Sequence, residues 1–125
     1  MEAVLADAGI GLVASYVLAG GTLTGKYLTG ASGRAAGDDT TPAIAAGKAR
    51  AAALVELAHE WGVSPAGLAF SFALSHPRLA SVLFGATSSD QVRENVRALE
   101  VFAALDDSQR GRLAELANTP PATGA

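Results

Sequence analysis

The run Gly11-Leu12-Val13-Ala14-Ser15-Tyr16 is apolar at consecutive positions and rich in strand formers. That is the pattern of a strand buried on both faces of a parallel sheet. Ser81-Val82-Leu83-Phe84 repeats it and ends at Gly85-Ala86. Between them the period changes. Ile44, Ala51, Leu54, Val55, Ala58 and Trp61 recur at helical spacing and make one apolar face, with Lys48, Arg50, Glu56 and Glu60 mostly off it. Thr41 is the candidate cap of this helix, Pro42 suits its first turn and Gly62 its end. Ser64-Pro65 opens a second helix, apolar on most sides, which runs to about Ser75 and stops at His76-Pro77. Ser88 or Ser89 caps a third, on which Val92, Val96 and Leu99 form a stripe. Asp107 or Ser108 starts a last helix carrying Leu113 and Leu116.

The order is strand, long loop, two helices, strand, two helices. Helical crossovers imply parallel strands and an α/β fold. Two such strands cannot cover their own faces and edges, so the chain reads as a piece of a larger sheet or barrel. No internal repeat supplies further strands. The loop from Leu18 to about Thr41 is long for a compact domain, which marks it as functional or mobile. Residues 1–117 form the partial domain. Asn118–Ala125, with two prolines and small residues, reads as a disordered tail.

A chain of 125 residues suits one domain at most, and half of them are hydrophobic, enough for a core. That core is built from small side chains, because aromatics are scarce and Ala and Gly abundant. The net charge is -3 and no basic run occurs, so nothing marks a nucleic-acid or anionic-membrane partner. The absence of cysteine removes disulfides and thiolate metal sites and fits a cytoplasmic protein. Met1–Asp7 has no basic region of the kind that opens a secretory signal. Ile10–Leu23 is too short and too glycine-rich to span a membrane.

The strongest chemical signal is Val82–Asn95: a strand, a small-residue turn and a helix N-terminus that together form a nucleotide-phosphate site. Gly85 and Ala86 admit a ligand to the strand end. Thr87, Ser88 and Ser89 offer hydroxyls and free amides where the helix dipole favours an anion. Ser88-x-x-Gln91 is also a capping box, which by itself explains both residues. Gly20-x-x-x-x-Gly25-Lys26 nearly matches a P-loop, but Tyr27 stands where Ser or Thr should hold magnesium, and no helix follows. Gly9-x-Gly11-x-x-Ala14 enters a strand instead of leaving one, so it is no dinucleotide fingerprint. His59 reads as a solvated residue and His76 as a cation at a helix end. Asp38-Asp39 and Asp106-Asp107 read as loop and cap residues.

Taken together the segments resemble one family. Leu18-Ala19-Gly20-Gly21-Thr22-Leu23-Thr24-Gly25-Lys26-Tyr27 looks like the "PLAGGLLTGKY" loop of aldo-keto reductases. Ala58–Ala69 is similar to their "A-x-x-x-G-x-S-P-A-Q-L-A" helix pair, and Gly85–Asn95 to their "GASxxxQLxEN" segment. Order and spacing hold from about Leu5 to Leu116, closest to the subgroup that includes potassium-channel β subunits. The resemblance implies the C-terminal part of a (β/α)8 TIM barrel, starting near the helix before strand seven, with NADP(H) bound at the strands' C-terminal ends. It implies that Leu18, Gly20 and Lys26 clasp the pyrophosphate and that Gly85 and Thr87 meet the adenosine phosphate. Gln91 then meets the 2′-phosphate, and Glu94 and Asn95 the adenine. The family's aromatic residue before the loop leucine is displaced by one here, at Tyr16. On a strand that turns it to the opposite face, away from the nicotinamide. Where many members hold the 2′-phosphate with arginine this chain has Gln91, with Arg34 as a candidate substitute. Nothing matches the family's catalytic Asp, Tyr, Lys and His. The implied activity is NADPH-dependent reduction of aldehydes or ketones, an oxidoreductase reaction that needs the intact barrel and a missing N-terminal half. The alternative is a non-catalytic nucleotide-sensing or interaction module that pairs with another barrel piece.

Overall fold

The computed structural model describes residues 1–33, 35–38 and 40–120. Strands β1 (Leu12–Ala14) and β2 (Leu79–Val82) pair in parallel, with Val13 opposite Ser81 and Ala14 opposite Val82. Leu12 N–H donates to Arg78 O and Leu83 N–H to Ala14 O, both at 2.8 Å. β2 thus begins two residues earlier than its apolar run and ends before Leu83-Phe84. Apolar content marks what can be buried, whereas the partner strand fixes the ladder. Burial on both faces is not met in this chain. Val13 and Leu83 are each 58% exposed and Phe84 43%, because two strands leave their outer sides uncovered among the described residues.

Two helices make the crossover. α2 (Pro42–Trp61) and α3 (Pro65–Leu74) bury Leu54, Leu57, Ala58, Leu68 and Ala69 against Leu105 and Leu113. Leu57 joins the core although the spacing did not select it, while Val55 and Trp61 are only half-buried. α3 is capped as read: Gly67 N–H donates to Ser64 Oγ at 2.9 Å. The start of α2 differs. Thr41 occupies the cap position, but its hydroxyl donates outward to Asp38 Oδ2 at 2.6 Å. Asp38 Oδ1 accepts the N–H groups of Thr40 and Thr41 at 2.9 and 3.0 Å, so the carboxylate three residues upstream organises this end.

α4 (Ser89–Ala104) lies on α3 and buries Asn95 and Ala98. Approach is close at Gly67, where an added Cβ would sit 3.1 Å from Val101 Cγ2. The stripe of Val92, Val96 and Leu99 is not the packed face. These side chains are 43%, 54% and 57% exposed. α5 (Asp107–Asn118) starts with a full capping box between Asp106 and Gln109. Arg110 closes the gap before it, donating to Phe102 O at 2.8 Å and Leu105 O at 3.0 Å. Arg112 grips Glu60 through two hydrogen bonds of 2.7 and 3.1 Å, which ties α5 to α2 and holds the Glu60 carboxyl below its usual range. The tail reading falls largely on residues 121–125, which lie outside the described residues; α5 itself extends through Asn118.

A short α1 (Glu2–Asp7) precedes β1. Six residues are too few to show a helical period. His76 Nε2 lies 2.9 Å from Glu2 Oε1, and Arg78 Nη1 donates to Leu5 O at 3.2 Å, so α1 is tied to the start of β2. No helix among the described residues is long and apolar enough to cross a membrane. A helix-rich chain with one parallel strand pair is compatible with part of an α/β barrel.

Candidate functional site

Because β1 and β2 are parallel, with an irregularity in the pairing between Leu12 and Val13, both glycine-containing segments leave the sheet at the same, carboxyl end. Ligands of α/β sheets and barrels bind at that end.

After β1 the chain turns sharply. Tyr16 and Ala19 have left-handed backbones, φ 61° and 48°, although neither is glycine. Such conformations are strained and collect at functional loops. Tyr16 is therefore past the strand, and the alternation argument for its direction does not apply. Its hydroxyl lies 2.9 Å from where a Gly20 Cβ would be. A 3₁₀ segment, Ala19–Thr24, contains Gly20 and Gly21 at φ 68° and 90°, and a second, Lys26–Thr29, follows. Leu18 packs on the core with its side chain and accepts Gly21 N–H with its carbonyl at 2.9 Å. Buried Thr22 donates to Ala19 O at 2.9 Å and packs on α2 at Gly47, where a Cβ would collide with its hydroxyl. α2 thus fixes the glycine turn through a contact that only glycine permits.

Lys26 is exposed, its ammonium 4.8 Å from the Tyr27 ring centre and close to Gly21 and Gly33. Tyr27 Oη accepts Ala35 N–H at 3.1 Å and brings the chain back over the turn, with Ala35 fully buried. Burial raises the Tyr27 pKa, but the Ala35 N–H and the Lys26 ammonium outweigh it and leave the phenol below its ordinary value. The same segment ends at Asp38, whose carbonyl accepts Lys48 Nζ at 2.9 Å. Asp38 has a pKa lowered to about 2, chiefly by the Thr41 hydroxyl and N–H. Tyr27 and Asp38 are the positioning residues that the sequence reading did not single out for the site. Arg34 lies outside the described residues, as does Asp39.

After β2, Gly85 stands in open space: a Cβ there would meet nothing within 4 Å. Ser88 caps α4 by accepting Gln91 N–H at 3.2 Å. The reciprocal half of the capping box is not made to Ser88. Gln91 Oε1 instead accepts Thr87 N–H at 2.7 Å and the Thr87 hydroxyl at 3.2 Å. The Gln91 carbonyl is thereby engaged and its NH₂ group left to offer. The N–H groups of Ser89 and Asp90 have no protein acceptor among the described residues. Asp90 pairs with Arg93 at 3.0 Å, which offsets its charge at this anion-favouring end. Glu94 lines an open groove of about 730 Å³ with Gly62, Val63 and Ser64. Asn95, next along α4, is 8% exposed. The structure therefore gathers Gly85, Thr87, Gln91 and Glu94 on or beside one helix turn. No hydrogen bond or ion pair among the described residues joins them to Leu18, Gly20 or Lys26, which share only the sheet's carboxyl end.

Residues 1–118 match the model of the aldo/keto reductase family. Protein tas of Escherichia coli (strain K12) is 36% identical over 110 residues, covering 78% of this chain and 30% of that protein. A probable voltage-gated potassium channel subunit beta of Arabidopsis thaliana is 30% identical over 128 residues, covering 90% and 37%. L-glyceraldehyde 3-phosphate reductase of Escherichia coli (strain K12) is 36% identical over 104 residues, covering 76% and 30%. The chain spans about a third of the length of these curated relatives. With nearly all of its residues inside the match, this chain belongs to the aldo-keto reductase family of oxidoreductases.

Proposed function

We propose that this chain is the NADP(H)-binding, C-terminal part of an aldo-keto reductase barrel that reduces aldehydes or ketones. The observation that carries the reading is the parallel register of β1 and β2, which sets the Gly20–Lys26 loop and the Gly85–Gln91 turn at one end of the sheet. Leu18, Gly20 and Lys26 clasp the pyrophosphate. Gly85 and Thr87 border the adenosine phosphate, Gln91 donates its NH₂ group to the 2′-phosphate, and Glu94 and Asn95 flank the adenine. The residues fit such a group: the strand end is open at Gly85, two amides are unengaged, and one ammonium stands on the loop at the same end of the sheet. When bound, the nicotinamide supplies a hydride. This chain's residues hold and orient the dinucleotide, and the carbonyl substrate meets it only in the intact barrel.

Titration of the purified chain with NADPH and NADH, followed by nicotinamide fluorescence, tests this. Gln91→Ala should weaken NADPH more than NADH. Equal loss for the two would leave Gln91 as a cap residue only, and no binding of either nucleotide to folded protein would overturn the reading.

A further inference from the structure

Lys26 and Tyr27 are neighbours in sequence, and in this loop they also meet through space. The Lys26 ammonium lies 4.8 Å from the centre of the Tyr27 ring. Two glycines complete the notch that holds it. A Cβ on Gly21 would stand 3.1 Å from Lys26 Cε and 3.2 Å from its Nζ. A Cβ on Gly33 would stand 3.2 Å from the same Nζ and 2.7 Å from Tyr27 Oη. The ammonium thus sits where only glycines leave room, beside Gly21 of the turn. The ring is itself fixed, since Tyr27 Oη accepts Ala35 N–H at 3.1 Å and Ala35 is fully buried. An exposed lysine ordinarily samples many rotamers, and ordering it on binding costs entropy. Here an aromatic face and two bare backbones restrict it before any ligand arrives.

We propose that Tyr27 is a positioning residue with two roles: its ring sets the Lys26 ammonium at the glycine turn for a diphosphate, and the charge on its hydroxyl decides how much of that ammonium the diphosphate receives. Such a role rests on the cofactor reading above and goes beyond it, by giving the turn's anion affinity a second, titratable determinant. As a phenol, Tyr27 leaves the Lys26 charge whole. As a phenolate it offsets that charge and adds repulsion toward the diphosphate. Lys26 beside it and Lys48 from α2 are the charged groups that act on it, while the Asp38 carboxylate is engaged by Thr40 and Thr41. Burial pushes the phenol up; the Ala35 N–H and the two ammonium groups bring it below its ordinary value. Nucleotide binding therefore favours the protonated phenol, and affinity falls as pH rises through the phenol's ionisation.

NADPH titrations of the 125-residue chain from pH 7 to 10, followed by nicotinamide fluorescence with folding checked by circular dichroism, test this. Affinity should fall about three- to tenfold across that range. Tyr27→Phe, which keeps Lys26 and the ring, should lose most of that dependence. At pH 7 Tyr27→Leu should bind about three- to tenfold more weakly, because ring and acceptor both go. Gly33→Ala keeps both side chains but closes the notch, and should weaken binding about twofold or more. Gly37→Ala, with nothing within 4 Å of the added carbon, should not. The coupling is also read without nucleotide. On a Tyr16→Phe background Tyr27 is the sole tyrosine, and ultraviolet phenolate absorbance reports its ionisation. Lys26→Met should raise the midpoint by about half a pH unit. Saturating NADPH should raise it by the factor that affinity loses at high pH. A midpoint indifferent to Lys26→Met, or an alkaline loss of affinity that persists in Tyr27→Phe, overturns the proposal. So does Tyr27→Leu binding as tightly as the parent. The cofactor reading fails separately: a folded chain whose phenol responds to Lys26→Met but which binds no nucleotide sinks that reading and upholds the coupling.

Discussion

At Gln91 the observed turn contacts and the proposed phosphate contact fall on different ends of one side chain, and the two can be separated. The amide oxygen accepts from Thr87 twice, so a carboxylate would keep both bonds. Gln91→Glu also places negative charge in the first turn of α4, worth about 0.3–1 kcal/mol to the helix. The predicted melting temperature is unchanged or slightly higher. The same charge repels a 2′-phosphate by about 1–3 kcal/mol at low salt, so NADPH affinity should fall roughly ten- to a hundredfold while NADH is much less affected. Paired titrations in low and high salt check this. Asp38 gives a pH prediction. Its folded-state pKa of about 2 lies below the ordinary 3.8. It therefore contributes stability that is complete above about pH 4 and is lost as pH falls from there toward 2. Proteolysis of the Gly30–Gly37 segment should accelerate in that window, and Asp38→Asn should accelerate it at neutral pH and flatten the dependence. The caps at Ser88 and Asp106 were legible in the sequence because capping is local, whereas the Gln91 side chain turns to Thr87 and not back to Ser88. The roles of Asp38 and Tyr16 were not. Asp38 acts from three residues outside its helix, and Tyr16 follows a left-handed backbone that no residue pattern announces.

At the scale of elements, α2 is both the core's main helix and the platform for the glycine turn, and Gly47 is where the two duties meet. Replacing a mid-helix glycine by alanine ordinarily gains about 1 kcal/mol. At Gly47 the new methyl would meet the Thr22 hydroxyl and sit 2.8 Å from Ala19 Cβ. Overpacking of this kind costs about 1–3 kcal/mol, and the neighbours belong to a 3₁₀ segment already strained at Ala19. Gly47→Ala should therefore lower the melting temperature and weaken NADPH binding. Gly111→Ala is the control: α5 leaves that position open, with nothing within 4 Å, so the propensity gain should appear as a higher melting temperature. Helices α2 to α5 could be read from period and caps because both signals lie within each segment. Which face of α4 would be packed could not. Asn95 and Ala98 are buried because α3 lies there, and partner geometry is not written in α4 itself. The strand register escaped for the same reason.

For the whole molecule, the sequence reading that these strands need further cover can be set against the exposure of their side chains. β1 is apolar at every position, yet Val13 stays 58% exposed. Burying a Val, Leu or Phe fully is worth about 1.5–3 kcal/mol, and Val13, Leu83, Phe84, Val92, Val96 and Leu99 remain 43–58% exposed. The isolated chain should accordingly bind a hydrophobic dye and melt at low temperature. Its chemistry should be as unfinished as its surface. A carbonyl that accepts a hydride becomes an alkoxide, and a positioned general acid contributes about 10²–10⁴-fold to that step. Of the two tyrosines here, Tyr27 is engaged by Ala35 at the edge of the loop. Tyr16 Oη lies against Gly20, within the turn assigned to the pyrophosphate. The purified chain should thus bind NADPH yet show no aldehyde-dependent oxidation of it above the buffer rate, from pH 5 to 9. Turnover anywhere near the ordinary enzymatic range of roughly 1–10³ s⁻¹ would mean that a proton donor is present in these 125 residues, and Tyr16→Phe against Tyr27→Phe would then say which.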